Sequence, residues 1–296
     1  MADAVQEILS DLDREDVREY PLNAIEKALL SEKTLTPHLL GILENLFNDP
    51  ESFRKRERFF AHNFAMNLLA HFGNEDAHEI ILKIMVLPRE ILGDLFGDMI
   101  TEDFPRILYQ TCGGRYEGIK DLILNRKADE FVRGSAMKAL VFGVLLGGLP
   151  RSETLVFFRG LFTGTEAEDS NHFWNAAASC VRQLYPEELM DTIRGAYERG
   201  LIWPGYIGMK SFERALSEDQ SSFLANKKQA LTSEIRSEFH GYMSWWACFR
   251  ERVSPAPGRG LEDSLYRQSR DEGVKKGKKR AKDKSARASR KRNRRR

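Results

Sequence analysis

Asp94, Asp98 and Glu102 recur at every fourth residue, and Asp103 follows directly. On one helix this spacing would put three carboxylates on a single face, where like charges repel. Such a face calls for solvent, a cation or a basic partner. Carboxylates forced to share a proton could also do acid–base chemistry. Gly93, Gly97 and Pro105 lie in the same stretch and predict a bend that splays the acids apart. Three readings follow: a solvated acidic face, a cation- or partner-binding site made of Asp94, Asp98, Glu102 and Asp103, or a catalytic pair.

Other chemical candidates are weaker. His62 and His71 are nine residues apart, about two and a half helical turns, and so face opposite sides. His78-Glu79 begins like a zinc-protease motif, but Leu82 stands where the second histidine is needed. Gly113-Gly114-Arg115-Tyr116-Glu117-Gly118 has the glycines of a phosphate loop without its Lys-Ser/Thr ending. It reads as a loop between helices. Cys112 has no His-Asn set near it for nucleophilic catalysis. Ser135 and Ser179 read as small packing residues. Trp203-Pro204-Gly205-Tyr206 and Trp245-Trp246 read as core or domain-closing aromatics, with an exposed peptide-binding groove as the alternative. Cys112, Cys180 and Cys248 are too scattered for a disulfide framework or a paired-cysteine zinc site. No metal or cofactor is expected.

Charge is divided unevenly. Residues 274–296 hold 14 Lys and Arg and one acid, Asp283, a net charge of +13. The other 273 residues hold 32 bases and 43 acids, a net charge of −11. The tail contains no aromatic residue and no aliphatic side chain larger than alanine after Val274, so it is expected to be disordered on its own. Lys275, Lys276, Lys278, Lys279 and Arg280 form one basic cluster. Arg290, Lys291, Arg292, Arg294, Arg295 and Arg296 form another. Such clusters suit phosphates, and the lack of aromatics predicts little sequence preference. The competing occupants are the acidic body itself, an acidic protein, and a membrane surface; the tail could also be a localisation signal.

These groups must be positioned by helices. Phe60, Phe64, Leu68 and Phe72 recur every four residues, with Ala61, Ala65 and Leu69 beside them. Ala77, Ile80, Ile81, Ile84 and Met85 trace another helical stripe, as do Phe173, Ala176, Ala177, Cys180, Val181 and Leu184. No strand is predicted. Thr36-Pro37 reads as a helix N-cap and first residue. Pro186-Glu187-Glu188 reads as a first turn, and Gly73 and Gly200 as C-caps. Residues 129–140, Asp-Glu-Phe-Val-Arg-Gly-Ser-Ala-Met-Lys-Ala-Leu, have the look of a HEAT-like helix, with weaker echoes at His62–Leu69 and Phe173–Ala177. The reading is an all-α fold: a HEAT-like right-handed α-solenoid of antiparallel helix pairs over residues 1–250. A linker with one possible short helix over 251–273 and the basic tail over 274–296 follow it. Ala139–Leu149, the best apolar run, is too short to span a bilayer and contains three glycines. The first residues have neither the basic nor the apolar region of a secretory signal. No membrane insertion is expected, and the reading places the chain in the cytoplasm.

The stretches Phe60–Ala65 with Leu68-Leu69, Gly97–Glu102, Asp129–Arg133, Leu184–Glu188 and Trp245–Phe249 together resemble a bacterial family, the domain of unknown function numbered 1186. The resemblance covers about Val5 to Phe249 and implies a HEAT-like helical domain with no established activity. Some relatives carry a cysteine-rich zinc-binding segment after this domain. Here no cysteine follows Cys248, so that role is not carried over. The expected function is a non-enzymatic helical scaffold for a protein partner, with the tail associating with RNA or the ribosome irrespective of sequence. The alternative is an enzyme built on Asp94–Asp103.

Overall fold

A computed structural model describes residues 2–169, 171–235 and 239–244, together with Trp246 and Phe249. The expected linker (251–273) and tail (274–296) lie outside the described residues, as do Trp245 and Cys248. Among the described residues every regular element is helical. The first group is α1 (Ala2–Leu12), α2 (Leu22–Leu29), α3 (Glu32–Asn48), α4 (Pro50–Arg54), α5 (Ala61–His71) and α6 (Ala77–Ile84). Next come α7 (Arg89–Phe96), α8 (Met99–Glu102), α9 (Phe104–Thr111), α10 (Glu117–Leu124), α11 (Glu130–Leu145) and α12 (Arg151–Leu161). The last are α13 (His172–Gln183), α14 (Met190–Glu198), α15 (Met209–Leu216), α16 (Gln220–Ile235) and α17 (Phe239–Met243). No helix among the described residues is long and apolar enough to cross a membrane.

Helical periodicity explains most of these elements. Leu35, Leu39, Leu43 and Leu46 bury one face of α3. The stripe Phe173, Ala176, Ala177, Cys180, Val181 and Leu184 is buried throughout, as expected for α13. Asp129 and Asn171 cap α11 and α13 by accepting from Phe131 N (2.8 Å) and Phe173 N (2.9 Å). Gly73 and Gly200 end α5 and α14 at φ 63° and 76°. At each end the glycine amide and the next amide bond back into the last turn, Asn74 N to Leu69 O and Leu201 N to Ala196 O. This is the Schellman pattern that sequence predicts for a left-handed glycine.

Three expectations need correction. Thr36-Pro37 does not start a helix: α3 begins at Glu32, and Pro37 lies inside it. Pro37 falls within the second turn, and Thr36 turns its hydroxyl back onto Glu32 O (2.9 Å). Pro186-Glu187-Glu188 opens a short 3-10 turn (Glu187–Leu189), and α14 starts only after it. The α5 stripe is not a stripe, because every residue from Ala61 to Ala70 is buried. Apolar periodicity alone missed this: His62, Asn63 and Asn67 are polar, but each makes at least one hydrogen bond to a neighbouring helix.

The core is organised around α5 and α11. α11 touches α8, α9, α10, α12, α13 and α16, and α5 touches α3, α6 and α9. Small residues permit this crowding. A methyl group at Gly134 would lie only 3.1 Å from Ala176 Cβ on α13. Arg133 is buried within the seam, donating to Ile123 O (2.7 Å) and Glu166 O (3.0 Å) and lying 3.9 Å over the Phe173 ring.

Leu140 is completely buried in α11. Leu140→Ala is expected to cost roughly 2–5 kcal/mol, through lost burial and the cavity left behind. Urea denaturation checks this; a loss under about 0.5 kcal/mol would contradict the packing of α11.

Candidate partner-binding cavity

The acidic segment is broken as its glycines and proline predict. α7 ends at Gly97, whose φ of 52° and ψ of −127° suit glycine alone. α8 is a single turn, and α9 follows with Pro105 in its first turn. Asp94 therefore sits on α7, Asp98 precedes α8, Glu102 ends it, and Asp103 is the joint to α9. They do not form the one-helix acidic face of the simplest reading. The bends nevertheless bring all four carboxylates to the lining of one cavity of about 350 Å³. Phe60, Asn63, Leu95, Phe96, Met99 and Trp246 complete its wall.

The four acids are not equivalent. Asp94 accepts from Arg54 Nε at 2.6 Å. Asp103 is buried beside Arg106 (3.3 Å), which also donates to Asn67 Oδ1 and Gln110 Oε1. Burial raises the Asp103 pKa against the pull of Arg106. Asp98 and Glu102 are exposed, and neither has an ion pair among the described residues. Behind them Asn63 is 3% exposed and donates through Nδ2 to Leu95 O (3.3 Å) and Met99 Sδ (3.4 Å). Its Oδ1 has no hydrogen-bond partner among the described residues. A buried acceptor left unpaired at a cavity wall is costly unless a donor arrives there.

Among the described residues no histidine lines this cavity. His62 bonds Leu95 O through Nε2 (3.0 Å), and its ring packs edge-on against Phe96. His78 pairs through Nδ1 with Thr111 Oγ1 (3.0 Å), whose own proton goes to Ile107 O. His71 packs edge-on against Phe239. Among the described residues no three His, Cys, Asp or Glu side chains are placed to hold a metal ion. Cys112 and Cys180 are buried; burial raises both thiols, Cys180 to about 12. Gly113 and Gly114 form the loop before α10, but the Glu75 carboxylate packs against Gly113, which opposes a phosphate there. Trp203 and Tyr206 are 63% and 50% exposed, which corrects their reading as core aromatics. Ser135 is a packing residue, its hydroxyl bonded to Ile100 O.

Sequence reasoning found the four acids and missed their apolar partners. Asn63 carried a signal: an amide in an otherwise apolar helix needs a local reason. Phe60 and Trp246 are far apart in sequence and meet only through the fold. Phe249 packs against Tyr20, Phe60, Phe64 and Trp246, holding the end of the described chain beside α5.

Fold and cavity together define an all-helical protein with an acid-lined, aromatic-walled recess and no convergent catalytic set among the described residues. The chain belongs to the family described as "Protein of unknown function (DUF1186)", whose sequence model matches residues 3–250. It is 30% identical over 199 residues to an uncharacterized protein of Chlamydia muridarum (strain MoPn / Nigg), covering 67% of this chain and 80% of that protein. It is 28% identical over 225 residues to an uncharacterized protein of Chlamydia trachomatis serovar D, covering 76% of this chain and 89% of that protein. No solved structure matches.

Burial lowers both His62 and His78 from 6.5 to about 4. Their neutral forms belong to the folded state, whereas the unfolded chain binds protons near 6.5. Their stabilisation is therefore complete above pH 6.5 and is lost as pH falls toward 4, by at most about 3 kcal/mol each. Asp103, with its raised pKa, offsets part of this. Imidazole ¹⁵N shifts are expected to show both rings neutral at pH 5.5; protonation near 6.5 would contradict their burial.

Proposed function

We propose that this chain is a non-enzymatic helical scaffold. In this reading its helix pairs form a right-handed HEAT-like solenoid. Supporting it, α5, α9, α11, α13 and α15 contact one another in sequence as a row, while α6 meets α10 and α12 lies against α11 and α13. The scaffold binds a protein partner at the recess formed by Asp94, Asp98, Glu102 and Asp103. The observation that carries the site is the unpartnered Asn63 Oδ1 at a wall that also holds two carboxylates without ion pairs. A lysine or arginine side chain supplies what is lacking. Its head donates to Asp98, Glu102 and Asn63, and its stem covers Phe60, Phe96 and Trp246. The absence of a histidine from the recess, among the described residues, favours binding over acid–base catalysis.

The basic tail complements the body. Lys275, Lys276, Lys278, Lys279, Arg280, Arg290, Lys291, Arg292, Arg294, Arg295 and Arg296 associate with RNA, including ribosomal RNA, through phosphates and irrespective of sequence. Their occupant is distinct from that of the acidic recess, so the two can be tested apart.

The recess is tested with short peptides that differ in one residue, arginine or its neutral isostere citrulline. Wild-type protein is expected to prefer arginine, and Asp98→Asn with Glu102→Gln to remove about tenfold in affinity. Equal binding of the two peptides, or no effect of the substitutions, would overturn the site. For the tail, anisotropy with single-stranded RNA should give a log–log salt slope of about −3.5 to −6 if it engages ~5–8 phosphates. No RNA binding at low salt would remove that role and leave an acidic protein as the tail's partner.

A further inference from the structure

A second recess also borders α8. Thr101 borders it, whereas the next residue, Glu102, borders the acidic cavity. Its volume is about 580 Å³, within the range of small-molecule sites. Lys138 on α11 and Arg182 and Gln183 on α13 supply donors, and Phe131, His172 and Tyr206 supply ring surfaces. Among the described residues no carboxylate lines it. Arg182 also borders an adjoining cavity of about 370 Å³ with Arg214 and Lys227, where Glu218 is the one acid.

This placement is unusual for the body. Residues 1–273 carry a net charge of −11, yet Lys138, Arg182, Arg214 and Lys227 form no ion pair with any described residue. Four cations lining two adjoining cavities, with Glu218 as the one acid among the described lining residues, favour an anionic guest. The rings are held firmly. His172 lies 4.6 Å from the Phe131 ring and 5.3 Å from Tyr206. The loop bearing Tyr206 is pinned by Trp203 N donating to Asn175 Oδ1 (2.8 Å) and by the Tyr197 hydroxyl donating to Ile207 O. Leu201, Ile202 and Ile207 anchor the same loop in the core, and Tyr206 is half-exposed at the recess. An exposed aromatic beside Arg182 and Lys138, whose ammonium lies 5.6 Å from the Phe142 ring centroid and has no ion pair among the described residues, suits a flat ring that carries a phosphate.

We infer that the recess between α8, α11 and α13 binds a nucleotide, with its phosphate at Lys138 and Arg182 and its base against Tyr206 and His172. The guest is either a free mononucleotide or one unit of an RNA strand, whose next phosphates would follow Arg214 and Lys227. This inference rests on residues other than those of the acidic recess and the tail, and the loss of binding in the Lys138, Arg182 and Arg214 variants distinguishes it from binding at the tail. Cys180, the thiol at its wall, is buried and held in the neutral form, so the site is one of binding and not of nucleophilic attack.

The test uses the full chain and titration calorimetry with adenosine 5′-monophosphate, adenosine and inorganic phosphate. The monophosphate is expected to bind more tightly than either fragment. Lys138→Gln with Arg182→Gln should weaken it by about tenfold or more, and Tyr206→Ala should weaken the monophosphate but not inorganic phosphate. Lys33→Ala, a surface charge on α3, should change nothing. Circular dichroism monitors folding of each variant. If the double variant does not fold, 8-azidoadenosine monophosphate on wild-type protein reads the same site, with label expected in the 201–208 loop or α13. A pentanucleotide binding much more tightly than the monophosphate, with the excess lost in Arg214→Gln, identifies a strand as the guest; equal affinities identify the free nucleotide. Unchanged binding in the folded double variant, inorganic phosphate matching the monophosphate, or label only elsewhere would overturn the inference.

Discussion

A helix without a solvent face must satisfy its polar side chains from the helices around it. α5, and α11 at its buried Arg133 and Ser135, carry this constraint, and the surrounding helices meet most of it. In α5, Asn67 accepts from Arg106 of α9, and His62 and Asn63 converge on the Leu95 carbonyl of α7. In α11, Arg133 takes two carbonyls and the face of Phe173, while Ser135 reaches the Ile100 carbonyl of α8. Burial lowers the Arg133 pKa to about 10, which still leaves it charged at neutral pH. Losing one partner would strand a charge in the core, a far larger penalty than breaking a surface ion pair. These polar pins fix which helices may neighbour the two central ones, a specificity that apolar packing alone does not supply.

The same pins shape both recesses. Ser135 holds α8 by its backbone, so this one-turn helix presents Glu102 to the acidic recess and Thr101 to the basic one. Gly97 allows the chain to turn out of α7 and deliver Asp98 beside Asn63. One short element, bonded to α11, thus borders two cavities of opposite charge. In the proposed scheme the acidic recess takes a cationic side chain of a protein and the basic recess takes a nucleotide. A scaffold that brings a protein together with nucleic acid would use both, with the tail adding a second, unspecific contact to phosphates.

Much of the fold was legible because helix formation depends on local spacing. The α13 stripe, the left-handed glycines at 73 and 200, the bend through Gly97 and Pro105, and the family itself could all be read from neighbouring residues. Pro37 was misread because proline is tolerated inside α3, where Thr36 folds its hydroxyl back onto the preceding turn. α5 was misread because its histidine and asparagines look solvent-seeking until α7 and α9 supply their partners. The acidic recess was half legible: its carboxylates are sequential, but Phe60 and Trp246 arrive from opposite ends of the body. The basic recess left no sequence signal at all. Lys138, Arg182, Arg214 and Lys227 come from four different helices, and no spacing rule links them.

The central claim is that α11, pinned through Arg133 and Ser135 and packed against six other helices, is the last element of the body to open. Hydrogen exchange on the full chain tests it most directly, since protection reports the free energy of the opening that exposes each amide. The account predicts that the amides of residues 136–145 exchange only through global unfolding, with those of α5 close behind, while α16 exchanges far sooner. Exchange from α11 as fast as from α16 would contradict it, because the helix could then open without dismantling the partners that hold Arg133 and Ser135.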